Sequence, residues 1–125
     1  AVNVSFNVTD DVEAGLFPVR ASLGFYIGGM GARDKNFYND YCKNLGYEAA
    51  AVEIQDKFLS RDRAGAYAAV PDALVDEVAL VGPKERIRER LQDWKAAAKE
   101  RKVDSMLLRG TTSVEAMRVI AEEVL

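Results

Sequence analysis

Two stretches of this chain hold the residue types that could do chemistry. The first is Gly28-Gly-Met-Gly-Ala-Arg-Asp-Lys-Asn36. Glycines such as Gly28 and Gly29 let backbone approach a ligand and permit positive φ. Arg33 and Lys35 offer charge to a phosphate or carboxylate, with the Asn36 amide beside them. The spacing is not a Walker phosphate loop, because no Gly-Lys-Ser/Thr follows a strand, and the third glycine is misplaced for a dinucleotide fingerprint. A helix–helix connection that uses glycine for its turns explains the same composition. The second set lies where strands are expected to end: Asn7 with Thr9, Val81-Gly82, and Arg109-Gly110. Asn7 and Thr9 could equally bond turn amides.

What is missing narrows the chemistry. The 125 residues include no histidine, which excludes a histidine base, a histidine metal ligand and a Ser-His-Asp triad. A single cysteine, Cys42, excludes an internal disulfide and a cysteine zinc cluster, so no metal site is expected. It sits in an apolar helix pattern and reads as a small buried hydrophobe. A net charge of −3 makes nucleic acid an unexpected partner. No apolar run approaches the roughly 18 residues that a membrane span needs. No signal peptide is visible, so a cytoplasmic location is the default expectation. The chain opens at Ala1 already in a strand pattern, from which we expect an incomplete piece.

The elements that must position these residues follow from periodicity. Residues 1–8 alternate, with Val4, Phe6 and Val8 to one side and Asn3, Ser5 and Asn7 to the other. Thr9, Asp10 or Asp11 caps a helix expected to kink or break near Pro18. Short helices are predicted over 37–45, 48–59 and 63–69, with Gly46 as a C-cap, and another starts at Pro71. Val78–Val81 reads as a strand buried on both faces. Gly82-Pro83 reads as an ordinary strand-to-helix turn, although the helix end there could hold an anion. A helix follows over 84–101, with Ile87, Leu91 and Trp94 on one stripe and a solvated, charged remainder. A strand over 103–108, a turn over 110–113 and a helix over 114–124 complete the order. Tyr26, Tyr38, Tyr41 and Tyr47 read as packing groups. Alternating strands and helices imply a parallel α/β sheet.

Four stretches together resemble the luciferase-like monooxygenase family, and within it the deazaflavin (coenzyme F420)-dependent oxidoreductases. They are Tyr26–Asp40, Thr9–Ala14, Val70–Pro83 and Glu85–Leu91, and the likeness covers nearly all of 1–109. Two places depart from the family pattern. Asp34 stands where a small residue, often glycine, is expected, and Lys95–Lys102 replaces a shorter Ala-Gly-Val turn. The resemblance implies a (β/α)8 barrel, of which 1–125 would be the C-terminal three βα units, with a helical insertion at about 28–75 before the second strand. It implies coenzyme F420, with FMN as the alternative, and either hydride transfer or oxygen insertion on an organic small molecule. This segment would wall the substrate side of the pocket through Asn7, Gly28, Gly29, Arg33, Lys35, Asn36 and Arg109, the insertion acting as a lid or dimer contact in a homo-oligomer. The catalytic positions are expected elsewhere. The competing reading is a non-catalytic, stand-alone α/β module that dimerises through its sheet edge. With the lumen face of three strands open, the chain is expected to be poorly stable as a monomer.

Overall fold

Strict alternation produces β1 (Val2–Val8), and continuous apolar sequence produces β2 (Ala79–Gly82), buried throughout. With β3 (Met106–Gly110) they make a three-stranded parallel sheet in the computed structural model, which describes residues 1–110 and 113–125. These residues divide into two units, 1–16 with 76–125 and 17–75. The insertion expected at 28–75 lies within the second unit, which starts earlier, at Phe17.

The first unit is a parallel α/β layer, as expected, but its strand order is β2-β1-β3. A slice of a barrel carries its strands consecutively; here β1 lies between the other two. Its seven residues offer two long edges. Four-residue β2 matches only Ser5–Val8, and β3 takes Val2–Phe6 on the opposite edge. The third strand also begins later than the predicted 103–108. A tight turn after α6 (Lys84–Lys99) places Arg101 at φ +59°, and pairing begins only when Val2 N–H donates to the Ser105 carbonyl at 2.9 Å.

Val4, Phe6 and Leu80 face one way and pack on Ile87 and Leu91 of α6 and on Ala116, Val119 and Ile120 of α7 (Val114–Val124). Ser113 caps α7 by accepting from Ala116 N–H at 3.1 Å; the rest of the expected turn, Thr111 and Thr112, lies outside the described residues. The charges of α6 do not pair along their own helix as a solvated face would. Lys84 reaches Glu115 at 3.1 Å and Arg88 reaches Glu122 at 2.8 Å, both on α7. Arg86 grips both oxygens of Asp76 at 2.7 and 2.9 Å and donates to the Val81 carbonyl at 2.6 Å.

In the second unit the expected break at Pro18 is absent: α1 (Val12–Gly29) runs through it as one helix. The lost N–H leaves only the Ala14 carbonyl without its helical donor, and both residues are exposed, so water can serve that oxygen. There follow α2 (Phe37–Asn44), α3 (Glu48–Leu59), α4 (Arg63–Ala68) and α5 (Asp72–Glu77), which crosses the boundary between units. Gly46 ends α2 as predicted, at φ +97°, its N–H on the Lys43 carbonyl and that of Tyr47 on the Cys42 carbonyl, the two bonds of a Schellman turn.

Candidate functional site

Parallel α/β sheets bind ligands outside the carboxyl ends of their strands. In the first unit, pairing puts Ser5 opposite Arg109 and Asn7 opposite Val81, so Asn3, Ser5, Asn7, Val81, Leu107 and Arg109 share the sheet face turned away from the α6–α7 core. Asn7 and Arg109 are thus diagonal neighbours on adjacent strands, the pair the sequence singled out. The face is not uniformly open. The first turns of α1 cover its β2 side: a Cβ at Gly15 would lie 2.6 Å from Val81 Cγ1, 2.8 Å from Thr9 Cγ2 and 3.5 Å from the Asn7 amide nitrogen. Asn7 is half-buried there. On the β3 side Arg109 is exposed and Leu107 is 53% exposed. A guanidinium, a hydroxyl, an amide and an apolar shelf can orient an organic substrate that carries a polar or anionic group.

The β1–α1 turn does not form a cradle for a nucleotide phosphate. Thr9 accepts from Asp11 N–H at 3.2 Å, and Asp11 accepts from Ala14 N–H at 3.0 Å, so the helix start is already capped. Asp10, Asp11 and Glu13 are exposed around it and would repel an anion. The phosphate tail of a flavin nucleotide or deazaflavin does not fit the start of α1.

The glycine-rich segment belongs to the second unit, and most of its members serve packing. A Cβ on Gly28 would lie 2.6 Å from Phe58 Cβ, and Gly29 is closed off by the same ring. These glycines let α1 and α3 approach. Asn36, 1% exposed, caps α2 by accepting from Tyr38 and Asn39 N–H at 3.0 and 3.1 Å, while its amide donates to the Tyr26 and Ile27 carbonyls at 3.1 and 3.0 Å. All its bonding capacity is spent. Arg33 is exposed but bonded to Asp56 at 2.5 Å. Lys35 is exposed. Asp34, the departure from the family glycine, sits at φ +64°, a conformation that explains why glycine suits the position.

Two buried polar residues that sequence pattern does not single out are Asn39, whose amide donates to the Ile27 and Ala51 carbonyls at 3.1 and 2.8 Å, and Gln55, with its amide nitrogen unbonded. Their signal was polar residues on the inner face of short helices. The tyrosines depart from expectation: Tyr26, Tyr38 and Tyr41 are exposed rather than packed away. Cys42 is buried as expected, and burial pushes its thiol up from its ordinary range, so it is a poor nucleophile. Among the described residues no cluster of three or more His, Cys, Asp or Glu could hold a metal ion, and no helix is long and apolar enough to cross a membrane.

Comparison with known proteins supplies the family. The luciferase-like monooxygenase model matches residues 1–101, and the chain belongs to that family. A Mycobacterium tuberculosis protein carrying the provisional name of coenzyme F420-dependent oxidoreductase is 34% identical over 90 residues, 72% of this chain. The chain spans only 26% of that relative's length. No solved structure matches.

Proposed function

We propose that this chain is part of an oxidoreductase that uses a deazaflavin, coenzyme F420, for hydride transfer to or from an organic substrate. It supplies the substrate-side wall through Asn7 and Arg109. FMN and oxygen insertion are the alternative within the same family. The observation that carries the reading is the family match over residues 1–101, joined to a relative named for F420. The acidic end of β1, with Asp10, Asp11 and Glu13, supports a substrate-side role for that strand over a cofactor-holding one, because it disfavours a phosphate tail. In the proposed whole protein the chain contributes C-terminal βα units of a (β/α)8 barrel, in which β1 would keep its pairing with β2 and β3 would leave β1 for the far edge of β2. Arg109 would orient an anionic or carbonyl group and the Asn7 amide would fix its angle.

The test uses the protein as expressed from its own gene and follows bleaching of the oxidised deazaflavin with a panel of alcohols, and return of its colour from the reduced form with aldehydes and enones. Arg109→Ala is expected to raise KM for the accepted substrate about tenfold, roughly the loss of one charge-assisted hydrogen bond, with cofactor affinity unchanged. Turnover with neither F420 nor FMN would overturn the reading. A stand-alone module that pairs along its sheet edge is the second reading, favoured by the exposed outer strand with Leu107; its signature is association abolished by Leu107→Lys with no redox activity.

A further inference from the structure

Lys95–Lys102, the stretch that departs from the family pattern, supplies Lys95, Ala98 and Lys99 to the lining of a cavity in the first unit. The cavity measures about 430 Å³, within the range of small-molecule sites. It is built by α6, β3, α7 and the connection through Val103, and it needs no residue of β1 or β2. Its floor is apolar: buried Leu91 and Ile120, with half-buried Trp94, Met106 and Leu108. Its mouth is polar, with exposed Lys99, Asp104 and Ser105, and half-buried Lys95 one helical turn before Lys99. The cavity lies behind the sheet from Asn7 and Arg109. Met106 and Leu108 point toward the α6–α7 core, whereas Leu107 and Arg109 alternate with them and point the other way.

We propose that this cavity binds an aryl carboxylate, its ring against Trp94 and Met106 and its carboxylate on Lys95 and Lys99. The charge follows from which cations of α6 are already occupied. Lys84 pairs with Glu115, Arg86 with Asp76 and Arg88 with Glu122, and Arg90 donates to the Asp76 carbonyl at 2.8 Å. Lys95 and Lys99 have no hydrogen bond or ion pair among the described residues. Asp104 is the opposing charge at the mouth, and two ammonium groups against one carboxylate leave room for a single further anion. The ring follows from the floor. An indole face and a thioether both favour an aromatic partner beyond what burial alone gives. A saturated chain would gain burial only, and a neutral arene would leave both lysines unused. The site is separate from the substrate wall, so its occupant is a second ligand that the chain binds without converting it.

Titration of the protein as expressed from its own gene with phenylbutyrate tests this, by calorimetry and by fluorescence excited where only tryptophan absorbs. No redox cofactor is added, so the result is independent of the oxidoreductase reading. Saturable binding is expected with a Kd on the order of 0.1–1 mM, the range for so small a ligand. It should bring a fluorescence change that Trp94→Phe removes. Phenylbutanol, which lacks the charge, should bind at least about fivefold more weakly, and cyclohexylbutyrate, which lacks the aromatic ring, about threefold more weakly. Lys95→Gln combined with Lys99→Gln should lower the affinity for phenylbutyrate to that for phenylbutanol. Asp104→Asn should raise it about twofold. Ala98→Phe, at an exposed lining position, should fill the mouth and abolish binding. Far-UV circular dichroism confirms that each variant is folded, and the lysine pair decides the matter where Ala98→Phe misfolds. Absence of saturable binding up to about 10 mM would overturn the proposal. So would equal affinity for phenylbutanol or cyclohexylbutyrate, or binding that the lysine pair leaves untouched.

Discussion

Both units bury apolar side chains, Ile27, Ile54 and Val70 in one as Val4 and Phe6 in the other, but they differ in what else lies inside. Residues 1–16 with 76–125 bury what is apolar: Val4, Phe6, Leu80, Ile87 and Leu91 fill the space between sheet and helices, and ion pairs such as Lys84–Glu115 lie outside. Residues 17–75 bury Asn36, Asn39 and Gln55 and leave Phe37 and Tyr41 outside. The first unit is held by apolar contact, which is insensitive to direction. The second depends at the α1–α2–α3 junction on amides aimed at the Tyr26, Ile27 and Ala51 carbonyls. Such groups are costly only when left unpaired, so each unit should fail under a different kind of substitution.

The chain's own chromophores separate the two. Its single tryptophan, Trp94, lies in the first unit, and all five tyrosines lie in the second. The largest effect is expected from Phe6→Ala, which leaves a void at the centre of the sheet core and costs about 3–5 kcal/mol, seen as an earlier tryptophan transition in urea. Asn39→Leu is next. It makes the second unit more apolar, yet it should destabilise by about 1–3 kcal/mol because the Ala51 carbonyl loses its side-chain donor and the Ile27 carbonyl keeps only that of Asn36, seen in tyrosine fluorescence. Stabilisation by Asn39→Leu would break the contrast, and transitions that move together in both variants would show that the units unfold as one.

Smaller effects of opposite sign are expected where side chains occupy left-handed backbone. Arg61 at φ +68° and Arg101 at φ +59° end α3 and α6 in the same two-bond turn that Gly46 makes after α2, and Asp34 shares the conformation. Replacing each by glycine should stabilise by about 0.5–1 kcal/mol, read as a later thermal midpoint. The smallest effect concerns pH. Burial holds the Cys42 thiol above its ordinary 9.0, so the unfolded chain ionises first. Stability is therefore unaffected below that value and falls as pH rises through it toward the folded value. Cys42→Ala should remove that slope from urea midpoints measured at alkaline pH.

The same contrast explains what the sequence disclosed. The first strand, the buried β2, the α6 stripe and the Ser113 cap were legible because apolar period and burial agree there. Gly46 was legible because one turn requires it. The exposed rings of α2 were misread because an apolar stripe at helical spacing is ordinarily a core face, and nothing local says that Asn39 will take the inside. Strand order was not legible either, since it depends on how far β2 and β3 reach along β1 rather than on any residue. Of the candidate site, Asn7 and Arg109 came together on one face by register. Asn36 and the two glycines were legible as unusual, but their purpose as a cap and a close helix contact needed the positions of Tyr26, Ile27 and Phe58.

The central place of β1 has a consequence for synthesis. Val2 pairs with Met106 and Ser5 with Ala79, so β1, made before both of its partners, must wait for one edge until β2 is complete and for the other until β3 is. At translation rates of about 5–20 residues per second, that is a delay of several seconds or more. Throughout it Val4 and Phe6 have no sheet to join, while the helices of 17–75 have already left the ribosome and can form. A chaperone that engages short alternating apolar segments would find its target in β1 during that interval.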